Sequence, residues 1–117
     1  MPVINDTSTE VNTLYGKASL ATWTALATSD TGKPVVGVGL SDRSFQASGT
    51  FGGATVVLQG SNNGTDWVTL TDPAGAAVSF TSAGLKQVLQ VTKYMRPSVS
   101  GGAAVSINCD LLLVGRK

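Results

Sequence analysis

Between residues 103 and 113 an apolar side chain recurs at every second position. Ala103, Val105, Ile107, Cys109, Leu111 and Leu113 share one side of an extended backbone, and Ser106, Asn108 and Asp110 take the other. A helix would scatter these residues around its axis, whereas a strand collects them on the one face that meets a core. Residues 44–51 repeat the pattern, with Phe45, Ala47, Gly49 and Phe51 opposite Ser44, Gln46, Ser48 and Thr50. A chain built from such two-residue repeats forms sheets, and the apolar face of each sheet needs a second layer to cover it.

Turn residues divide the rest of the chain into further short strands. Residues 18–28 read ASLATWTALAT, which an Ala-rich helix also accommodates, but Thr22, Thr24 and Thr28 favour a strand with Ala21, Trp23, Ala25 and Ala27 on one face. A turn over residues 29–34 leads to a short strand at 35–40. The Asn63-Gly64 pair tolerates positive φ and predicts a hairpin between residues 54–60 and 65–71. Asp72-Pro73-Ala74-Gly75 marks the next turn, followed by a strand at 76–80. Leu85, Val88, Leu89 and Val91 are spaced for a single helical turn within residues 82–91. Pro97 inside the extended segment 94–100 predicts a strand edge or a bulge. About eight short strands separated by turns predict an all-β, two-sheet antiparallel sandwich of jelly-roll or Greek-key type. It forms a single domain over residues 18–117. Residues 1–17 fit neither period and are expected to form an extended N-terminal arm.

The same sequence removes most chemistry. It contains no histidine, so imidazole-based nucleophile systems, His metal sites and imidazole acid–base catalysis are excluded. The acidic residues stand mostly in or beside turns, where a carboxylate bonds nearby backbone amides. Asp66 and Asp72 are the nearest approach to a glycosidase pair, and the predicted turns explain both without a reaction. Asn62, Asn63, Asp66 and Asp72 lack the alternating pattern and closing Glu of a calcium loop. The glycines at 49, 52 and 53 precede no phosphate-binding fingerprint. No enzyme activity, catalytic residue, cofactor or metal is expected. Trp23, Trp67 and Tyr94 form either a stacking platform for sugar or core and interface packing, and the second role is favoured for the tryptophans.

Charged residues make up only 13% of the chain and the net charge is +1, which gives no basic field for nucleic acid and no acidic field for a cationic partner. Cys109 is the sole cysteine and is expected to be a core thiol, which rules out an intrachain disulfide. The first residues lack the basic start and apolar block of a signal peptide, and no apolar run spans a bilayer. Synthesis in a cytosol is the expectation, with no membrane partner.

Residues 45–102 resemble a family of small tailed-phage virion structural proteins. The resemblance is carried by Gly60-Ser61-Asn62-Asn63-Gly64-Thr65-Asp66-Trp67, Leu70-Thr71-Asp72-Pro73, Ser79-Phe80-Thr81 and Tyr94-Met95-Arg96-Pro97. It implies a capsid decoration, or cement, protein: a β-sandwich on the capsid exterior, made in a bacterial cytoplasm, that staples subunits of the phage major capsid protein. A homo-oligomer, dimer or trimer, is expected. The Trp67 hairpin also resembles the early part of longer discoidin-like sandwiches, so a carbohydrate-binding module is the alternative. A head–tail or tail structural protein is a third reading. The residues expected to touch partners are Val3, Ile4, Val11, Leu14 and Tyr15 of the arm, with Val114, Arg116 and Lys117 at the other end. Arg43 and Arg96 are expected at a solvated surface, with pairing to capsid carboxylates as the functional alternative.

Overall fold

A computed structural model describes residues 3–4, 7–12, 17–37 and 40–115, with side chains for residues 18–37 and 40–115. The strands are β1 (Val3–Ile4), β2 (Thr7–Asn12), β3 (Lys17–Leu26), β4 (Thr31–Gly32), β5 (Val35–Val36) and β6 (Asp42–Thr50), then β7 (Thr55–Ser61), β8 (Val68–Thr69), β9 (Ser79–Phe80), β10 (Gly84–Val88), β11 (Tyr94–Ser100) and β12 (Ser106–Val114). They form a seven-stranded sheet, in which β4 and β5 flank one side of β11 and β8 and β9 flank β7, and a five-stranded sheet ordered β10-β6-β12-β3-β2. No helix among the described residues is long and apolar enough to cross a membrane.

The connectivity is that of a jelly roll. The chain folds back on itself so that β3 pairs with β12, β4 and β5 with β11, β6 with β10, and β7 with β8 and β9, all antiparallel. Successive pairs fall alternately in the two sheets, and β12·β6 and β11·β7 pairing knits them together. Counting β4 with β5 and β8 with β9 as interrupted single strands gives the eight strands of a jelly roll. Two strands lie outside that count: β1 runs parallel to β4, and β2 pairs antiparallel with β3 along six residues.

The core lies where the inner faces meet. Trp23, Leu26, Phe45, Leu58, Met95 and Ile107 are fully buried, and the rings of Phe45 and Phe80 lie 6.0 Å apart in a tilted arrangement. Buried Trp23 still needs an acceptor for its indole N–H. It finds one in the Lys33 carbonyl at 3.0 Å. Gly32 passes so close beneath this ring that a Cβ there would meet Trp23 Cδ1 and Pro97 Cδ at 2.6 Å, so only glycine fits.

Several expectations are corrected: Ala103 is exposed and precedes β12, and the strand expected at 76–80 is strand only at Ser79–Phe80. Ala25 and Ala27 do not share the buried face of Trp23, because Thr24 and Ala25 together stand opposite Asn108 as a bulge. Ala25 adopts φ 55°, its N–H donates to Asn108 Oδ1 at 3.0 Å, and the extra residue turns Leu26 inward. Residues 82–91 contain no helical turn: β10 ladders onto β6 over five residues, with Leu85 facing out and Val88 in. The strand expected at 35–40 is ordered as strand only at Val35–Val36, and Val38 and Gly39 lie outside the described residues.

Pro97 meets the expectation of a bulge, though in an interior strand. The N–H of Val99 and the carbonyl of Lys93 bond toward the β4/β5 side, so Pro97, in the same phase, turns its nitrogen that way as well. There the register slips, with Gly32, Lys33 and Pro34 opposite Arg96 and Pro97, and the missing N–H breaks no ladder bond.

The bulge makes Leu26 and Ala27 unequal. Leu26→Ala is expected to cost about 2–5 kcal/mol in urea denaturation, and Ala27→Ser to stay within about 0.5 kcal/mol. The reverse order would place the wrong residue in the core.

Candidate functional site

The Trp67 hairpin is held by its own side chains. Ser61 Oγ accepts the N–H groups of Asn63 and Gly64, and Asn63 Oδ1 accepts those of Thr65 and Asp66, at 2.9–3.2 Å. Gly64 supplies φ 78°, and the Asp66 carboxylate accepts from Asn63 Nδ2 at 2.9 Å. With its loop tied down in this way, the hairpin carries Trp67, two residues before Thr69, onto the outer face of the seven-stranded sheet. Across that face Thr69, Gln59 and Arg96 are cross-strand neighbours. Arg96 lays its guanidinium 4.1 Å from the centre of the Trp67 ring and donates through Nε to Gln59 Oε1 at 2.9 Å. Beside it, Lys93 Nζ lies 5.2 Å above the Tyr94 ring.

The three aromatics named from sequence therefore separate. Trp23 is core, while half-buried Trp67 and Tyr94 stand on the outer face. Arg43 is also corrected: it is buried rather than solvated. Its strand phase points inward, and the guanidinium donates to the carbonyls of Gly37 (2.9 Å), Leu40 (3.0 Å) and Gln90 (3.5 Å) and to Met95 Sδ (3.2 Å). An arginine can enter the sandwich end because loop carbonyls there replace water, and burial pushes its pKa down. Nothing in the alternating pattern marks this site, since Arg43 stands where an apolar residue is expected.

The partner residues named from sequence fall in two places. Val11 stands opposite Ala18, Ala18 opposite Val114, and Val114 opposite Asp42, so Val11 and Val114 share one cross-strand row of the five-stranded sheet. Val3 and Ile4 pair with Thr31 and Gly32 in the other sheet. Leu14, Tyr15, Arg116 and Lys117 lie outside the described residues. Sequence reasoning missed the shallow groove on the outer face of the five-stranded sheet, lined by Leu20, Ser44, Gln46, Leu85, Asp110 and Leu112. Leu85 is 63% exposed, and Asp110 accepts from the Thr22 hydroxyl at 2.9 Å. Its signal was present as leucines at outward-facing positions of alternating strands.

The reactive groups are occupied or shielded. Burial, with Asp110 adding to it, pushes the Cys109 thiol up to about 12. Asp72 Oδ1 accepts the N–H groups of Ala76 and Ala74, and Lys86 Nζ lies 3.5 Å from Oδ2. The Ala76 N–H bond is the main cause of its lowered pKa. Among the described residues no group of three or more His, Cys, Asp or Glu is placed to hold a metal ion.

A jelly roll with an aromatic–cationic face on one sheet and an apolar groove on the other defines the class as a jelly-roll β-sandwich. No protein-family model matches the sequence, and no curated protein matches it. Solved structures do. The SPBc2 prophage-derived protein YomS aligns over 89% of this chain and 100% of its own, at 11% identity and a TM-score of 0.66. The PBSX exported protein XepA aligns over 82% of this chain but 37% of its own, at 20% identity and a TM-score of 0.51. Both show that the fold recurs.

Two outcomes check the buried and turn chemistry. Cys109 is expected to resist a thiol reagent in the native protein at about pH 8 and to react fully once unfolded. For Asp72, the folded pKa lies below the ordinary 3.8, so its stabilisation is complete above that value and is lost as pH falls through the folded one. The difference in urea midpoint between wild type and Asp72→Asn, measured at about pH 6, is expected to shrink as the pH is lowered below 3.8.

Proposed function

We propose that the chain is a structural component of a tailed-phage virion, a decoration or cement protein that binds the outside of the capsid and stabilises the major capsid protein lattice without catalysing a reaction. The observation that carries this reading is a stiff jelly roll whose surface is left for contact. The sequence resemblance over residues 45–102 supports it, as does the likeness along the full length of a prophage-derived protein. Cementing asks for many modest contacts repeated by symmetry, each burying area against a neighbour. A low-charge exterior suits that task.

The proposed contacts with capsid or sister subunits are made by Val3, Ile4, Val11, Leu14 and Tyr15 together with Val114, Arg116 and Lys117, in a dimer or trimer on the shell. The carbohydrate-binding alternative is less favoured, because Arg96 stacks on one face of the Trp67 indole and leaves less of the ring for a sugar.

Incubation with purified expanded capsids tests the proposal. Saturation at hundreds of copies per particle is expected, as shell symmetry requires, whereas about six to twelve would indicate a ring at the connector or tail. Deleting residues 1–15 is expected to leave a folded protein that binds more weakly, and unchanged occupancy would remove the arm from the contact.

A further inference from the structure

The outer face of the seven-stranded sheet carries an arginine whose guanidinium is held in place by two neighbours. Arg96 is fixed on two sides, by the Trp67 ring beneath it and by Gln59 at Nε. Among the described residues nothing accepts from its Nη1 or Nη2. A free guanidinium rotates through many conformers and loses that freedom on binding, so one already stacked and pinned gives up less. The two open amino groups form a planar fork that matches the two oxygens of a carboxylate.

The surroundings select the sign and shape of the partner. Lys93, held over Tyr94, adds a second positive charge to the same face. The nearby carboxylate of Asp66 is turned into the hairpin by Asn63 Nδ2 and forms no ion pair with Arg96. Val57, opposite Ser98, and Val36, opposite Tyr94, supply an apolar border. Arginine and tryptophan packed together within such a border are the residue types that dominate protein–protein contacts. An acidic glycan would also offer carboxylates, but Arg96 already covers one face of the Trp67 indole, which leaves less of the ring for a sugar to stack on.

We propose that the outer face of the seven-stranded sheet, centred on Arg96 stacked over Trp67, is the docking face for an acidic patch on a partner protein, with Arg96 receiving an Asp or Glu carboxylate. This rests on the reading of the chain as an adhesive virion protein, and it names the chemistry of the surface bound.

The test is a titration followed by nuclear magnetic resonance at the Arg96 Nε–H and Trp67 indole N–H, with an end-blocked tetraglutamate peptide as the probe. Saturable shifts at low salt are expected, weakening as the ionic strength rises to about 0.5 M. Arg96→Gln is expected to reduce affinity about tenfold or more, and Lys93→Gln less. Arg96→Lys, which keeps the charge but loses the fork, is expected to fall between. Unchanged spectra elsewhere in the variants establish that the fold is intact. Equal shifts with tetraserine or inorganic phosphate, or tetraglutamate binding unaffected by Arg96→Gln, would overturn the proposal, and tighter Arg96-dependent binding of oligogalacturonate would assign the face to acidic glycan instead. Capsid occupancy separates this inference from the reading beneath it. If Arg96→Gln fills expanded capsids as wild type does, the docking face is wrong and the cement reading stands; if wild type fills none, the cement reading fails and the peptide titration alone decides the face.

Discussion

The double pairing of β12 is the constraint on which the rest of the molecule depends. This last strand lies between β3 and β6 and ladders onto both along nearly its whole length. Its inward residues Ile107, Cys109, Leu111 and Leu113 are all buried. Strand pairing between the two ends of a chain carries a large loop-closure cost, so the apolar stripe has to be long and regular to repay it. Once β12 is seated, β11 faces it across the core and pairs with β7, and the nested return of the chain follows.

That dependence explains what was legible from sequence. Strands buried on one face and polar on the other announce themselves by period two, so β6 and β12 could be read, while turn residues marked the Asn63-Gly64 hairpin with β7 and the Asp72 turn. What failed were places where a local exception re-aims a side chain. The bulge at Thr24 and Ala25 depends on Asn108 of a distant strand, which no window along β3 contains. The spacing of Leu85, Val88 and Leu89 mimics a helix, because in β10 one leucine faces outward while Val88 faces the core. Arg43 looked like a surface charge because its acceptors, the carbonyls of Gly37, Leu40 and Gln90, come together only in the fold. The Arg96–Trp67 stack was likewise invisible as a pair: the residues are joined through the register of β7, not through sequence spacing.

The same architecture determines where the described polar and reactive groups sit. Turns consume Asp66 and Asp72, the core consumes Cys109 and Trp23, and loop carbonyls consume Arg43. The sheet faces remain, one carrying cations held on aromatic rings and the other a groove between leucines. A jelly roll serves many unrelated functions, so the fold alone selects none of them. Any selection has to come from these faces, and adhesion at repeated contacts is the reading proposed for them.

Amide hydrogen exchange of the free protein tests the pivotal role of β12 most directly. The account predicts that the backbone amides of Ile107, Cys109 and Leu111 exchange slowest, at a rate set by global unfolding, while those of the edge strand β10 exchange through local opening. Exchange of the β12 amides as fast as that of β10 would contradict it.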